Sequence, residues 1–182
     1  MNYSMRPLTR DDKPLLFAWR NSEQVKKFMY TDHEISVDEH EKWFQAALQD
    51  EKSVFQVFLN GADPVGLISA TRIDLVNGSC YWAFYLGAPA TPKGTGAIME
   101  YLALEHFFER LKMRKIMCEV FAFNAPVVRM HEKFGFVREA VFSKHVLKRG
   151  QYEDVISLAL FAEQWPQIKD KLSKILFRRG SK

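Results

Sequence analysis

The chain has 182 residues, of which 47% are hydrophobic and 26% charged, and its formal net charge is +4. This length and hydrophobic content are enough for one domain with its own core, and they exclude a mostly disordered chain. The net charge is too small to indicate nucleic-acid binding, although it suits a polyanionic small molecule. No apolar run approaches the roughly 18 residues of a membrane span, and no apolar signal region begins the chain. We therefore expect a cytoplasmic protein with neither membrane nor nucleic acid as partner.

The two cysteines indicate a reducing environment. Cys80 and Cys118 both lie inside apolar, strand-like runs. Such positions are typical of buried thiols rather than of a disulfide framework. We predict neither a disulfide nor a metal site.

The first fifty residues are predicted to form a strand and two helices. Residues 2–8 are a short strand candidate, and Thr9 can cap a helix over residues 10–20. Ser36 and Glu39 form a capping-box pattern that opens a second helix, which ends near residue 50. The aromatic segment 28–35 between them has no clear period. It is either a packed connection, which we favour, or a lid.

Two Asn-Gly pairs in the middle of the chain are typical of β-hairpin turns. Asn60-Gly61 and Asn77-Gly78 separate three strand-like runs, which predicts an antiparallel meander. Later segments alternate between helix and strand patterns without a linker, so we expect one domain over residues 1–182. The predicted strands are 53–59, 65–73, 79–86, 115–123, 136–147 and 152–161, and the predicted helices are 98–111, the segment from Asn124 to Gly135, and an amphipathic tail over 165–177.

A glycine-containing loop, residues 88–100, joins the last meander strand to the next helix. Gly94 and Gly96 allow a phosphate to approach the main chain, and Lys93 adds a positive charge beside the free N–H groups of the helix start. The spacing matches neither a P-loop nor a dinucleotide fingerprint. The loop therefore predicts anion binding of another kind, with an ordinary glycine-containing turn as the alternative.

Two motifs in this order of elements resemble the GNAT superfamily of acyl-CoA-dependent N-acetyltransferases, and the resemblance covers essentially the whole chain. One is Thr91-Pro-Lys-Gly-Thr-Gly96, and the other is Asn124 followed by His131-Glu-Lys-Phe-Gly-Phe136. Thr91 stands where the family usually has Gln or Arg, and His131 where many relatives have a tyrosine acid. The resemblance implies an α/β (α+β) fold: a mixed, mostly antiparallel sheet of about seven strands, splayed at the cofactor site and flanked by helices.

The resemblance also implies that acetyl-CoA is the cosubstrate and indicates where it binds. Its pantetheine arm would pair like an added strand between residues 79–86 and 115–123. Asn124 would reach the arm from the other side, although a role as helix N-cap would also explain it. The implied cofactor contacts are main-chain groups of Tyr85 and Leu86, the N–H groups of Lys93, Gly94, Thr95, Gly96 and Ala97, and Asn124.

Transfer to an amine requires a group that takes a proton and a group that supplies one. Glu119 is the one acidic residue in the run from Lys115 to Phe123, and we predict that it is the base. A solvent-facing Glu119 is the alternative. His131 has a suitable ordinary pKa for the acid. Its alternative is an inert histidine on a helix surface.

The acceptor is predicted from the N-terminal third of the chain. Segments 19–21, 28–30 and 35–48 resemble the sugar-nucleotide N-acetyltransferases of pseudaminic acid biosynthesis, which acetylate the 4-amino group of a UDP-linked 4-amino-4,6-dideoxy sugar. Basic side chains suit a diphosphate, and tyrosines suit uracil or sugar. The expected substrate contacts are Arg20, Met29, Tyr30, His40, Thr71, Arg72 and Tyr81.

Two other functions stay open. The C-terminal half resembles ribosomal-protein N-terminal acetyltransferases, so the acceptor could be a protein N-terminus or a small amine. Thr91 and His131 also leave room for a non-catalytic acyl-CoA-binding module. The chain is expected to be a monomer or a homodimer.

Overall fold

The computed structural model describes residues 2–177, and within that range the chain forms seven β-strands and six α-helices. The strands are Tyr3–Pro7 (β1), Val54–Asn60 (β2), Asp63–Asp74 (β3), Ser79–Leu86 (β4), Lys115–Phe121 (β5), Val137–Lys148 (β6) and Gln151–Phe161 (β7). The helices are Lys13–Asn21 (α1), Glu23–Lys26 (α2), Val37–Gln49 (α3), Thr95–Glu105 (α4), Ala125–Lys133 (α5) and Trp165–Leu176 (α6).

All seven strands of the described chain form one sheet in the order β1-β2-β3-β4-β5-β7-β6. The first four pair antiparallel, which confirms the predicted meander. β4 and β5 pair parallel, and β7 lies antiparallel between β5 and β6. The predicted fold class, a mixed and mostly antiparallel sheet flanked by helices, is therefore confirmed.

Local sequence signals explain where several elements begin and end. The Ser36 hydroxyl accepts a hydrogen bond from the Glu39 N–H at the start of α3, as its capping pattern predicts. Gly61 and Gly78 take positive φ angles of 64° and 60° in the two hairpins. Gly135 has a φ of 90° just after α5, in the left-handed region that ends a helix.

Four local features differ from the prediction. Residues 10–12 form a 3₁₀ turn before α1, and the four-residue helix α2 is too short to show a hydrophobic period. The helix after the glycine loop begins at Thr95 rather than at residue 98. Its last turn, His106–Arg110, is a π-helical turn, because the Leu111 N–H donates to the His106 carbonyl.

The sheet has a core on each face. The larger cluster includes buried residues of α4, α5 and α6, among them Met99, Val128 and Leu172. The smaller cluster joins Leu16 and Trp19 of α1 with Phe44 of α3, Val57 and Leu67. Both helical layers are thus fixed to the sheet by apolar burial, the main stabilising term in folding.

The cysteine prediction holds. Cys80 and Cys118 are both buried and are not joined in a disulfide. Burial raises the pKa of the Cys80 thiol to about 12, so this group stays a neutral thiol at physiological pH.

The parallel pairing of β4 with β5 is short, and this determines where a ligand can enter. It covers three residue pairs, from Ser79 opposite Lys115 to Tyr81 opposite Met117. Beyond them β4 continues to Leu86 and β5 to Phe121 without pairing to each other. The sheet is therefore splayed at the predicted place. No helix among residues 2–177 is long and apolar enough to cross a membrane.

Candidate functional site

A cavity of about 560 Å³ opens where β4 and β5 separate. Its walls come from residues 28–30, from 81–86 of β4, from 118–121 of β5 and from one side of α5. Eleven of the residues predicted from the sequence line this cavity: Met29, Tyr30, Thr71, Arg72, Tyr81, Tyr85, Leu86, Gly96, Glu119, Asn124 and His131. The other predicted residues, Arg20, His40, Lys93, Gly94, Thr95 and Ala97, lie outside its lining.

The open edge of β4 can hold an extended, amide-bearing ligand. Residues 82–86 pair with β3 on one side but have no strand partner on the side facing β5. Their main-chain groups on that side face the cavity instead of a neighbouring strand. Such an edge is the usual template for adding a strand-like ligand.

The glycine loop presents part of the predicted set of N–H donors. The N–H groups of Thr95 and Ala97 donate to the carbonyls of Pro92 (3.1 Å) and Gly94 (3.0 Å) within the loop. Those of Lys93, Gly94 and Gly96 have no hydrogen-bond acceptor among residues 2–177. Three donors at the start of an 11-residue helix remain available for an anion.

The glycine at position 96 is not required by the protein itself. Its φ lies outside the left-handed region, and an added Cβ would come no closer than 3.9 Å to the Leu86 side chain. Gly94 differs, because its φ of 92° favours glycine. The absent side chain at Gly96 therefore leaves space on the cavity side, as a phosphate approaching the main chain would need.

Asn124 precedes α5, but its side chain makes no capping hydrogen bond. Only its carbonyl takes part in the helix start, accepting from the N–H groups of Val127 and Val128. The amide therefore has no capping role and lies in the cavity wall.

Glu119 faces the cavity rather than open solvent. The Tyr30 hydroxyl donates to its Oε2 at 2.6 Å, joining the aromatic segment to β5. Burial, and then the bond to Glu119, raise the pKa of Tyr30. Tyr30 therefore stays protonated at neutral pH and donates this bond to the Glu119 carboxylate.

His131 is buried with only 2% of its surface exposed, so it is not a helix-surface histidine. Its Nδ1 donates to Glu100 Oε1 at 2.7 Å. Burial alone would lower the pKa of His131, but the Glu100 charge and hydrogen bonds with Cys118 and Glu100 raise it to about 10. Burial also raises the pKa of Glu100, and the His131 charge and hydrogen bond oppose that rise, so the two groups titrate as one pair.

Glu100 is the partner that the sequence analysis missed. It is fully buried on α4, and its Oε2 has no hydrogen-bond partner among the described residues. The sequence does contain a signal for Glu100. It lies four residues after Gly96 and four before Leu104, on the helix face that packs inward. A carboxylate at a core position predicts a buried partner.

Arg72 is directed into the cavity by an irregularity in β3. The pairing with β4 shifts register after Thr71, and Arg72 has a φ of 51°, which is uncommon for arginine. Its guanidinium lies 5.0 Å from the centroid of the Tyr81 ring. This arrangement combines positive charge with an aromatic face.

A second group of polar side chains adjoins the cavity at Tyr85. The Arg20 Nη1, His40 Nε2 and Tyr85 Oη atoms are buried and have no hydrogen-bond partner within residues 2–177. Burial, followed by the nearby Arg20 charge, lowers the pKa of His40. Buried polar atoms without partners are uncommon and indicate that water or a ligand completes the site.

The buried pair predicts a specific pH dependence of stability. The pKa of His131 rises from an ordinary 6.5 to about 10 on folding, so the folded protein holds a proton that the unfolded chain releases. This stabilisation is complete below pH 6.5 and is lost as the pH rises towards 10. We expect the difference in free energy of unfolding between the wild type and the double variant His131→Phe/Glu100→Leu, measured by urea unfolding, to fall as the pH rises.

The single variant His131→Phe supplies the control. It leaves the Glu100 carboxylate buried and alone, and should destabilise by about 3–5 kcal/mol. The double variant should recover much of that loss. The coupled pair would be contradicted if the two substitutions had additive effects on the free energy of unfolding. The same would follow if that free energy depended on pH equally in the wild type and the variants.

Comparison with known proteins agrees with this architecture. The chain is 28% identical over 130 residues to the SPbeta prophage-derived uncharacterized N-acetyltransferase YokL of Bacillus subtilis strain 168, covering 71% of this chain and 73% of YokL. It is 25% identical over 129 residues to the acetyltransferase PseH of Campylobacter jejuni strain 81-176, covering 71% of this chain and 79% of PseH.

Among solved structures, a spermidine N-acetyltransferase from Vibrio cholerae, in complex with CoA and spermine, superposes with a TM-score of 0.84. The identity is 21%, and the match covers 90% of this chain and 98% of that one, so it shows the shared fold. The family model described as an acetyltransferase (GNAT) domain matches residues 3–137. The chain therefore belongs to the GNAT acetyltransferase family and is an acetyl-CoA-dependent N-acetyltransferase.

Proposed function

We propose that this acetyltransferase acts on the 4-amino group of a UDP-linked 4-amino-4,6-dideoxy sugar, the acceptor of pseudaminic acid biosynthesis. The observation that carries the proposal is the charge around the cavity. Arg72 lines it beside Glu119, the one carboxylate of the described lining, and Arg20 adjoins it with Glu39 nearby. The buried Arg20 and His40 side chains each keep a nitrogen without a partner among the described residues. That balance suits an anionic acceptor with one amine.

A polyamine fits this charge pattern poorly. Spermidine carries several positive charges, and its recognition requires several carboxylates. The described lining offers Glu119 alone and places the Arg72 guanidinium in the same cavity. The structural likeness to a spermidine N-acetyltransferase, at 21% identity, does not outweigh this pattern.

A diphosphate would satisfy the polar atoms that have no protein partner. Arg20 Nη1 and His40 Nε2 are buried donors or acceptors beside Tyr85, and phosphate oxygens accept from guanidinium in bidentate form. Leaving such groups unpaired costs about 1–3 kcal/mol each. Arg20 and His40 are thus proposed contacts of the anionic part of the acceptor.

The aromatic wall suits the uracil and sugar rings. Tyr81 lies under the Arg72 guanidinium, and Tyr30 packs edge-on against Phe121 with ring centroids 5.3 Å apart. With Met29 and Thr71 they form the acceptor end of the cavity. The 25% identity to PseH is consistent with this proposal.

The remaining predicted residues are proposed to hold acetyl-CoA, which supplies an acetyl group activated as a thioester. The open edge of β4 at Tyr85 and Leu86 would pair with the amides of its arm. Asn124 would bind from the α5 side. The loop residues Lys93, Gly94, Thr95, Gly96 and Ala97 would surround the pyrophosphate, with the free N–H groups as its direct donors.

Two side chains that line the cavity are proposed to carry the proton transfers. Glu119 Oε2 can take the proton of the acceptor ammonium and leave the amine neutral for attack. His131 holds a proton that it can release into the cavity, and Glu100 fixes its Nδ1. Because both are in place, we favour an enzyme over an acyl-CoA-binding module.

The cofactor assignment predicts that Gly96→Val weakens acetyl-CoA binding without unfolding the protein. The added methyl groups enter open space near Leu86 rather than a packed core. Calorimetry should show at least about a tenfold rise in dissociation constant, or about 1.4 kcal/mol. An unchanged constant in the folded variant would remove the loop from the site.

The base assignment predicts that Glu119→Gln lowers turnover by about a hundredfold or more, since an amide cannot take the proton. Acetyl-CoA affinity should stay near the wild-type value, because Glu119 lies at the acceptor end. Glu139→Gln, which removes a carboxylate from a surface ion pair with Lys115, is the matched control. Equal turnover in both variants and the wild type would exclude Glu119 as the base.

The acceptor proposal predicts turnover of the UDP-4-amino sugar and a specific role for Arg72. Arg72→Asn tolerates the positive φ but removes the guanidinium. It should raise KM for the sugar nucleotide about tenfold to a hundredfold, as loss of a charged hydrogen bond worth about 1.5–3 kcal/mol implies. KM for acetyl-CoA should stay unchanged. Coenzyme A release is the measured signal.

Lys112→Asn is the control, since Lys112 has a similar φ of 57° and an exposed side chain outside the cavity. Spermidine and an alanine-initiated peptide complete the comparison of acceptors. Turnover of either, without turnover of the sugar nucleotide, would replace the proposed acceptor and promote that alternative.

A further inference from the structure

Lys148 is a buried lysine that the chemistry above does not use. It ends β6, and it is the only buried residue of that otherwise exposed strand, with 4% of its surface accessible. Burying an ammonium group is costly unless several acceptors surround it. Its neighbours therefore indicate what the burial achieves.

The ammonium group of Lys148 binds the main chain of the segment 26–32. Its Nζ donates to the carbonyl of Met29 at 2.7 Å and lies 3.3 Å from the carbonyls of Lys26 and Thr31. The carboxylate of Asp32 lies 3.3 Å away and balances the charge. These acceptors come from a connection that belongs to no helix or strand after Lys26.

This same segment forms one wall of the acceptor end. Phe28, Met29 and Tyr30 line the cavity, and the Tyr30 hydroxyl binds Glu119. The Met29 carbonyl that Lys148 holds most closely is thus adjacent to the residue that contacts the proposed base. Lys148 Nζ also lies 5.8 Å from the ring of Phe121, which packs against Tyr30.

The turn after β6 strengthens the attachment. The Arg149 N–H donates to Asp32 Oδ2 at 2.7 Å, so the Asp32 carboxylate accepts from two successive residues of the hairpin. The backbone bond from Arg149, and then the Lys148 ammonium, hold the pKa of Asp32 below its usual range. Asp32 is therefore ionised throughout the physiological range of pH.

We propose that Lys148 is a positioning residue that sets the shape of the acceptor end and thereby selects the acceptor. It acts through the backbone of residues 26–32 and touches no reacting atom. The inference rests on the proposed function only in placing the acceptor against Met29 and Tyr30. By this inference Lys148, at the end of the edge strand β6, is one of the residues that determine acceptor specificity.

The test is Lys148→Met, which keeps the length of the side chain but removes its hydrogen bonds. A small displacement of the wall should raise KM for the acceptor on the order of tenfold to a hundredfold. KM and the calorimetric dissociation constant for acetyl-CoA should not change, because the cofactor end is formed by other elements. Hydrogen exchange should increase in residues 26–32 relative to wild type.

Lys174→Met is the matched control, since Lys174 forms a fully exposed ion pair with Asp170 on α6. It should leave all constants as in the wild type. Asp32→Asn supplies a second variant in case Lys148→Met does not fold, because the Asp32 side chain is 37% exposed and the amide oxygen can still accept from Lys148, which keeps its carbonyl acceptors. It should shift acceptor KM in the same direction, by less.

The outcomes separate this inference from the proposed acceptor. If the wild type uses spermidine or a peptide instead of the sugar nucleotide, the proposed acceptor is wrong, and Lys148→Met is measured with the amine that is used. A selective rise in KM for that amine would still support the positioning role. Equal changes in both substrate constants, or no change in either, would overturn it.

Discussion

The early separation of β4 from β5 is the constraint on which the site depends. Two parallel strands that pair over only three residue pairs leave main-chain groups of β4 without a partner, and the protein does not cover them. The cavity, the glycine loop at the end of β4 and the start of α5 all meet at this gap. The proposed acetyl-CoA site uses the same opening that exposes these backbone polar groups.

Charge divides the site into two parts with different tasks. Buried Glu100 and His131 form a coupled pair within the apolar core beside the cavity, an arrangement that favours stability less than good apolar packing would. A role for the His131 proton in catalysis, as proposed, would explain why this buried pair is present. At the proposed acceptor end, Arg72 and Glu119 line the cavity and the polar group around Arg20 adjoins it, and the proposal of an anionic acceptor rests on this pattern.

The acceptor wall depends on distant residues. Residues 27–32 belong to no helix or strand, and only turn bonds such as that from the Met29 N–H to the Lys26 carbonyl hold the start of the segment. Its conformation therefore also depends on what it contacts. Lys148 holds its backbone and Glu119 holds the Tyr30 hydroxyl. A change of acceptor within this fold would therefore require changes in the β6–β7 hairpin as well as in the residues that touch substrate.

The sequence by itself determined the order of elements, the meander and the glycine loop, because hairpin glycines, caps and hydrophobic periods act within a few residues. Only the tertiary structure decided how distant groups combine. It left the Asn124 side chain without a capping hydrogen bond. It also buried His131 against Glu100 and surrounded Lys148 with carbonyls from residues 26–31. Such pairings join positions 31 to 122 residues apart. Local patterns cannot encode them, because burial and hydrogen bonding are set by the packed sheet.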